Sequence, residues 1–463
     1  MNIVLLSGGS GKRLWPLSND IRSKQFIKIF KNENGEYESM VQRVYRQIRT
    51  IDKEATVTIA TSKSQVSALH NQLGEEVGIS VEPCRRDTFP AIALATAYLH
   101  DVKGISEEES VVVCPVDPYV NNDFFEALKE LGRLAENGTS NLVLMGIDPT
   151  YPSEKYGYII PIDTEKVSKV KTFKEKPDTK TAEVYIQQGA LWNGGVFAYK
   201  LKYVLEKAHE LIDFTDYADL FKKYDTLKKI SFDYAVVEKE DNIQVIRYSG
   251  EWKDLGTWNT LTEAMEEIKV GDAILNENCE NVHVINELNV PVLCMGLKNV
   301  VVSASPGGIL VSDKEQSSYI KPFVDHIDLK IMFAEKSWGS FHVLDITDKS
   351  MTIKVTLNPG HRMNYHSHER RDEVWTIISG EGRAIVDGME QPVSAGDVVT
   401  VTAGCRHTII ADTELKVLEV QLGEEISVHD KHKFELEDYT ETSRERLFLG
   451  RNRLREERSK ELA

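Results

Sequence analysis

Apolar residues follow two different rhythms along this chain. Up to about residue 265, unbroken apolar runs such as NIVLLSG, ATVTIAT, SVVVCPVD and NLVLMGI alternate with longer segments, PAIALATAYLHDV and FFEALKELGRLAE, that repeat at helical spacing. A run that is apolar at every position suits a strand covered on both faces, and the intervening helices supply the cover. The pattern predicts an α/β domain with a Rossmann-like, mostly parallel sheet over residues 1–265. From about 275 to 325 the segments shorten to NVHVINE, VPVLCMGL, NVVVSAS and GGILVSD, punctuated by Gly and Asn without helical stretches, as in a β-helix-like connector (266–335). MTIKVTLNPG, VWTIISGEGRAIVDG, GDVVTVTAG and LKVLEVQLG then predict a C-terminal all-β barrel or jelly roll over 336–435. Residues 436–463 form a charged tail, Arg-rich from 443 onward, expected to lie solvated outside any core.

Bulk properties narrow the class. A chain of 463 residues is too long for one core, and a net charge of −17 speaks against nucleic acid or an anionic membrane as partner. The five cysteines include no C-x-x-C pair, so neither a disulfide framework nor a structural zinc site is expected. Cys114 and Cys294 sit in apolar runs and read as buried small hydrophobes. No secretory leader and no apolar run of bilayer length is present, so the expected address is cytoplasmic, and the NGT sequon at 137–139 has no use there. Self-association into a homo-oligomer is expected.

The first chemical signal is LLSGGSGKRLWPLSNDIRSKQF at 5–26, where glycines and then Lys12, Arg13 and Lys24 follow the first strand-like run. A Walker A loop would need Gly in place of Leu6 and Ser or Thr in place of Arg13; a dinucleotide fingerprint would need Gly in place of Leu14. Neither applies. What remains is a glycine-rich turn whose successive N–H groups form an anion-binding concavity, with cations beside it to stabilise phosphate charge. It would lie beyond the C-terminal end of the first strand, where ligands of such sheets bind, as would Asp117 after VVVCP.

This stretch resembles the opening signature of the sugar-nucleotide pyrophosphorylases, and RLWPLS…KQF is similar to the mannose-1-phosphate guanylyltransferases among them. EPCRRDTFPAIALA, VVVCPVD, GIDPTYPSEKYGYI, FKEKPD, LWNGGVFAY, SFDYAVVEK and WKDLGTW follow in that family's order across 82–258. The resemblance implies that a sugar 1-phosphate oxygen attacks the α-phosphorus of GTP and pyrophosphate leaves. It implies that Gly8, Gly9 and Gly11 cradle the triphosphate, that Arg13 and Lys24 stabilise its charge, and that Asp117 and Asp254 hold Mg2+. Lys176 would meet the sugar phosphate; Glu175, Asn193 and the Gly157 backbone would contact the sugar; Arg86 and Asp87 would lie by the nucleobase. Asp87 stands where the family has Asn, and a carboxylate there is compatible with guanine. Lys12 replaces a usual Thr, Ser23 a usual Pro, and VDP the usual SDH. Another nucleotide or sugar, and a sugar-nucleotide sensor without turnover, are the alternatives. Trp192 and Trp258 read as core.

The second signal is GHRMNYHSHERRDEVWTIISG, with His366 and His368 two apart on one strand face and Glu373 placed to return on a neighbour. The spacing fits the first metal motif of the cupin barrels; His407 occupies a weaker second motif, with Thr402 for the usual Pro and Ala411 for the usual Asn. Three imidazoles and a carboxylate suit Zn2+, Fe2+, Mn2+ or Ni2+. The arrangement resembles the bifunctional type II phosphomannose isomerases, which interconvert mannose 6-phosphate and fructose 6-phosphate. SWGSFHVLD, PGHRM and RRDEVW, with Arg371 and Trp375, share that frame. His366 stands where those enzymes usually have Gln, and GEEISVHDKHKFEL replaces their arginine-bearing ending. Isomerase and non-catalytic metallo-cupin both remain open.

Overall fold

The computed structural model describes residues 1–436 except Ser10, Asp20, 328–330, 425, 428 and 429; the tail reading at 437–463 lies outside the described residues. The chain forms two compact units, 1–327 and 328–463. The segment read as a connector therefore belongs, up to residue 327, to the same unit as the α/β domain.

In the first unit a nine-stranded sheet runs in the order 78–82, 56–62, 2–7, 110–115, 191–200, 142–147, 243–248, 167–174 and 158–161. Strand Asn2–Ser7 pairs in parallel with Thr56–Ser62 and with Ser110–Pro115. Strand Leu191–Lys200 runs antiparallel between Ser110–Pro115 and Leu142–Ile147, so the sheet is mixed beyond that point. Ile3, Val4 and Leu5 are all fully buried: Ile3 and Leu5 enter one apolar cluster and Val4 the other, as alternation on a strand with two covered faces requires. Helix Thr88–Asp101 is buried almost all round, whereas Asn122–Glu136 hides only the stripe carrying Phe124, Phe125, Leu128 and Leu131.

After the helix Trp258–Ala264, short strands stack in parallel: Lys269–Val270 on His283–Asn286 on Val300–Ser305, and Ala273–Leu275 on Val292–Cys294. Asn281 and Asn299 turn successive coils with φ of 52° and 53°, a left-handed conformation Asn tolerates, and Asn281 Nδ2 donates to Asn299 Oδ1 at 2.8 Å. This is a short β-helix. Cys114 and Cys294 are buried in their runs, and Trp192 and Trp258 are core residues.

The second unit is a β-sandwich barrel: a six-stranded sheet ordered 333–336, 339–346, 350–357, 415–423, 371–379 and 398–401, with a five-stranded sheet ordered 389–394, 381–386, 407–411, 366–367 and 432–433. Its core is built by inward-facing residues such as Leu357, Trp375, Ile377, Ile409 and Val417. Among the described residues, no helix is long and apolar enough to cross a membrane.

Candidate active site and candidate metal centre

Two adjoining cavities open at the C-terminal ends of the central strands. One, of about 350 Å3, is lined by Gly8, Gly9, Glu82, Arg85, Arg86 and Asp87. The other, of about 250 Å3, is lined by Lys155, Tyr156, Gly157, Glu175, Asn193, Trp252 and Asp254. Pro115, Asp117, Gly195 and Asp233 line both, so the two cavities meet at Asp117 and Asp233.

The junction carries the charge. Strand Pro118–Val120 pairs antiparallel with Trp252–Asp254, with Pro118 opposite Asp254, which brings the carboxylates of Asp117 and Asp254 together across a long sequence gap. Lys24 Nζ reaches Asp117 Oδ2 at 2.6 Å and Asp254 Oδ1 at 3.7 Å. Burial opposes the charge of Lys24, but Asp117 and then Asp254 outweigh it, and the ammonium is held above its ordinary pKa. Burial pushes the Asp254 carboxyl up, with Lys24 pulling the other way and Asp117 adding to the rise. Two carboxylates converging on one point form a donor set that suits Mg2+.

Arg13 is exposed and lines neither cavity, yet its charge acts on both Lys24 and Asp254. Gly11 does not line the cavities; it takes φ of 60° with its Cα packed against Lys24, so it positions the cation, and a Cβ there would lie 3.0 Å from Lys24 N. Lys12 turns away and pairs with Asp325 at 3.0 Å. Ser23 donates to the Gly9 carbonyl at 2.9 Å, a role proline could not fill. Asp87 caps helix Thr88–Asp101, accepting from Thr88 N at 2.8 Å. Lys176 stands at the rim, ion-paired with Glu175.

Two further carboxylates, Glu82 in EPCRRDT and Asp233 in SFDYAVVEK, carry no pattern of their own in sequence yet line the cavities. Glu82, buried in the floor of the first cavity, accepts from Tyr224 Oη at 2.8 Å; burial raises its pKa while Tyr224 and Arg85 oppose. Asp233 accepts from Asn193 Nδ2 at 2.7 Å, while Asn193 Oδ1 accepts from Gly195 N at 3.1 Å, so the amide is locked in one orientation. Burial, reinforced by Glu175, pushes the Asp233 carboxyl up to about 6.

The second unit holds the histidine cluster. The imidazoles of His366, His368 and His407 are all buried, with ligand atoms within 4.8 Å of one another. His366 Nδ1 donates to the Asn364 carbonyl at 2.6 Å, His407 Nδ1 to Cys405 O at 2.9 Å, and His368 Nδ1 to Asp430 O. Spending each Nδ1–H on backbone leaves each Nε2 with its lone pair, the tautomer a metal requires; that of His368 accepts from Arg371 Nη2 at 2.8 Å. His407 Nε2 is buried without a hydrogen-bond partner. Burial and then Lys431 push His366 down to about 2, keeping it neutral. Glu373 lies 3.2 Å from His368 Nε2, 3.4 Å from His407 Nε2 and 3.1 Å from Arg371 Nε. Burial disfavours its charge, and the Arg371 guanidinium, donating through Nε, favours it; burial and Glu373 in turn push Glu419 well up. Three imidazoles beside one carboxylate fit a divalent transition metal.

Comparison with known proteins matches this division. The nucleotidyl transferase family profile covers residues 2–270, and a cupin-domain profile covers 353–421. A mannose-1-phosphate guanylyltransferase of Klebsiella pneumoniae is 27% identical over 92% of this chain and 97% of its own length. The xanthan biosynthesis protein XanB of Xanthomonas campestris is 27% identical over 93% of this chain and 97% of its own. A crystal structure described as mannose-1-phosphate geranyltransferase from Thermus thermophilus superposes with a TM-score of 0.59 at 26% identity, over 70% of this chain and 98% of that one.

Proposed function

Because this chain belongs to the nucleotidyl transferase family and carries a cupin domain after it, we propose that it joins GTP and mannose 1-phosphate into GDP-mannose with release of pyrophosphate, for polysaccharide assembly. One observation carries the reading: two cavities, sized for a nucleotide and a sugar, meet at Asp117, where two carboxylates and Lys24 converge. A phosphate oxygen of the sugar ester attacks the α-phosphorus, and the bond to the pyrophosphate oxygen breaks. Both reactants are anions, so the protein must neutralise their repulsion and align them; orientation alone can supply about 7–11 kcal/mol.

Gly8 and Gly9 would offer backbone N–H groups to the triphosphate, with Arg13 reaching in from the surface. Lys24 would exchange a carboxylate for phosphate oxygen as the substrates arrive. Asp117 and Asp254 would hold Mg2+, which supplies charge stabilisation when bound. Glu175 and the Asn193 amide, fixed by Asp233, would orient the sugar, and Lys176 would swing from Glu175 to its phosphate. Glu82 would accept from guanine N1–H and N2–H2, with Arg86 and Asp87 lining the same cavity beside it.

The test is pyrophosphate release by full-length protein with Mg2+ across four NTPs and a panel of sugar 1-phosphates. GTP with mannose 1-phosphate should lead, and Glu82→Gln should cut the GTP-over-ATP preference by about 10–100-fold, the worth of a buried paired base contact. No product from any pair would overturn the reading.

The three imidazoles beside Glu373 and Arg371 favour a second activity, interconversion of mannose 6-phosphate and fructose 6-phosphate in the barrel. His366, His368, His407 and Glu373 would hold the metal, which polarises a sugar oxygen when bound. Conversion by metal-loaded protein should vanish in His368→Ala.

A further inference from the structure

The segment that replaces the family's arginine-bearing ending is built onto the histidine strand. The Asp430 carboxylate accepts from the amides of Glu369 and Arg370 at 3.0 Å each, and Phe434 N donates to the Tyr365 carbonyl at 2.9 Å. Between these anchors His432–Lys433 pairs antiparallel with His366–Ser367, with Lys433 directly opposite His366. Opposed residues in antiparallel strands share a face, as do residues two apart on one strand. Lys433 and Lys431 thus stand on the face of His366, and His432 on the other, where it reaches Glu369 at 3.7 Å.

The charges agree with this placement. Burial lowers Lys431 while Glu419 and Glu373 draw it back; Lys336, on strand Phe333–Lys336, is lowered by burial and then by Lys433. Lys433 thus lies close enough to both Lys336 and Lys431 for their charges to act on one another, and an anion between them would ease that repulsion. Deeper in, Gln421 stands opposite Glu373 in the strand register, is buried, and its Oε1 has no hydrogen-bond partner. A buried amide oxygen left open is an acceptor awaiting a donor.

We propose that this face binds a phosphorylated sugar, with Lys431 and Lys433, flanked by Lys336, holding the phosphate, and Gln421 accepting from a sugar hydroxyl nearer the histidines. The pair of lysines in DKHK takes the place of the missing arginine. The proposal rests on the isomerase reading only for the choice of hexose.

The experiment is calorimetric titration of full-length, metal-loaded protein with mannose 6-phosphate, mannose and inorganic phosphate. Mannose 6-phosphate should bind at least tenfold tighter than mannose, inorganic phosphate should compete with it, and raised salt should weaken it. K431Q/K433Q should lose at least tenfold in affinity, K431R/K433R should retain it, and both should keep wild-type GTP turnover, which reports an intact chain. An unchanged Kd in K431Q/K433Q overturns the proposal. If wild type binds the ester through the lysines without interconverting it, the clamp stands and the isomerase reading falls. If K431Q/K433Q interconverts the ester with unaltered KM, the clamp falls and the isomerase stands.

Discussion

The cleft of the first unit and the histidine cluster of the second both gather charge for a cation, but they do so in opposite ways. In the cleft, Lys24 already bridges Asp117 and Asp254, and those carboxylates are a third to two-fifths exposed, so opposite charges satisfy one another and can trade partners when substrates arrive. In the barrel, every imidazole is pinned through Nδ1 to a backbone carbonyl, and the buried Nε2 atoms of His368 and His407 face Glu373. On the proposed reading, the first site exchanges ions at each turnover. The second would keep one.

That contrast can be broken in order of effect. Asp117→Asn should lower GDP-mannose formation by about a thousandfold or more, and Lys24→Gln nearly as far, measured by initial pyrophosphate release. Because the two act on one charge balance, the double variant should fall well short of the product of the singles. His366→Ala should reduce metal retained after dialysis by more than about tenfold, read by elemental analysis, while GTP turnover is unaffected. Equal damage to both readouts would mean the sites are not of two kinds.

The smallest effect is a titration. Asp233, raised to about 6 from 3.8, binds its proton more tightly folded than unfolded. Stability withheld at neutral pH is therefore regained as pH falls through about 6. The wild type should gain on D233N between pH 7.5 and 5 in thermal melts. Over the same range its kcat/KM for mannose 1-phosphate should decline, as the carboxylate that fixes Asn193 is neutralised, with a flatter limb in D233N.

Local pattern foretold much of this molecule and missed what depended on distant pairing. Runs such as NIVLL announce doubly covered strands because periodicity reports burial. His366 and His368 were legible as a pair because two-residue spacing places them on one face. The antiparallel course of Leu191–Lys200 was not, since an apolar run has no sign of direction. Glu82 and Asp233 were hidden because a carboxylate's role is set by what surrounds it, Tyr224 in one case and Asn193 in the other. The arginine-poor ending read as a loss; only the register of Lys433 against His366 sets its lysines beside the histidine strand.

The glycine-rich loop after the first strand has its moorings far along the chain. Arg22 grips Glu287 with two bonds of 2.8 Å, Ser305 Oγ donates to the Pro16 carbonyl at 3.0 Å, Lys12 meets Asp325, and the bare Cα of Gly308 lies against the Trp15 ring, where a Cβ would come within 2.4 Å. A chain severed after residue 270 would keep every side chain proposed to touch the nucleotide and lose the frame that stretches their loop taut. The β-helix is therefore the anvil against which the catalytic lip is shaped, and it cannot be pared away as a spacer.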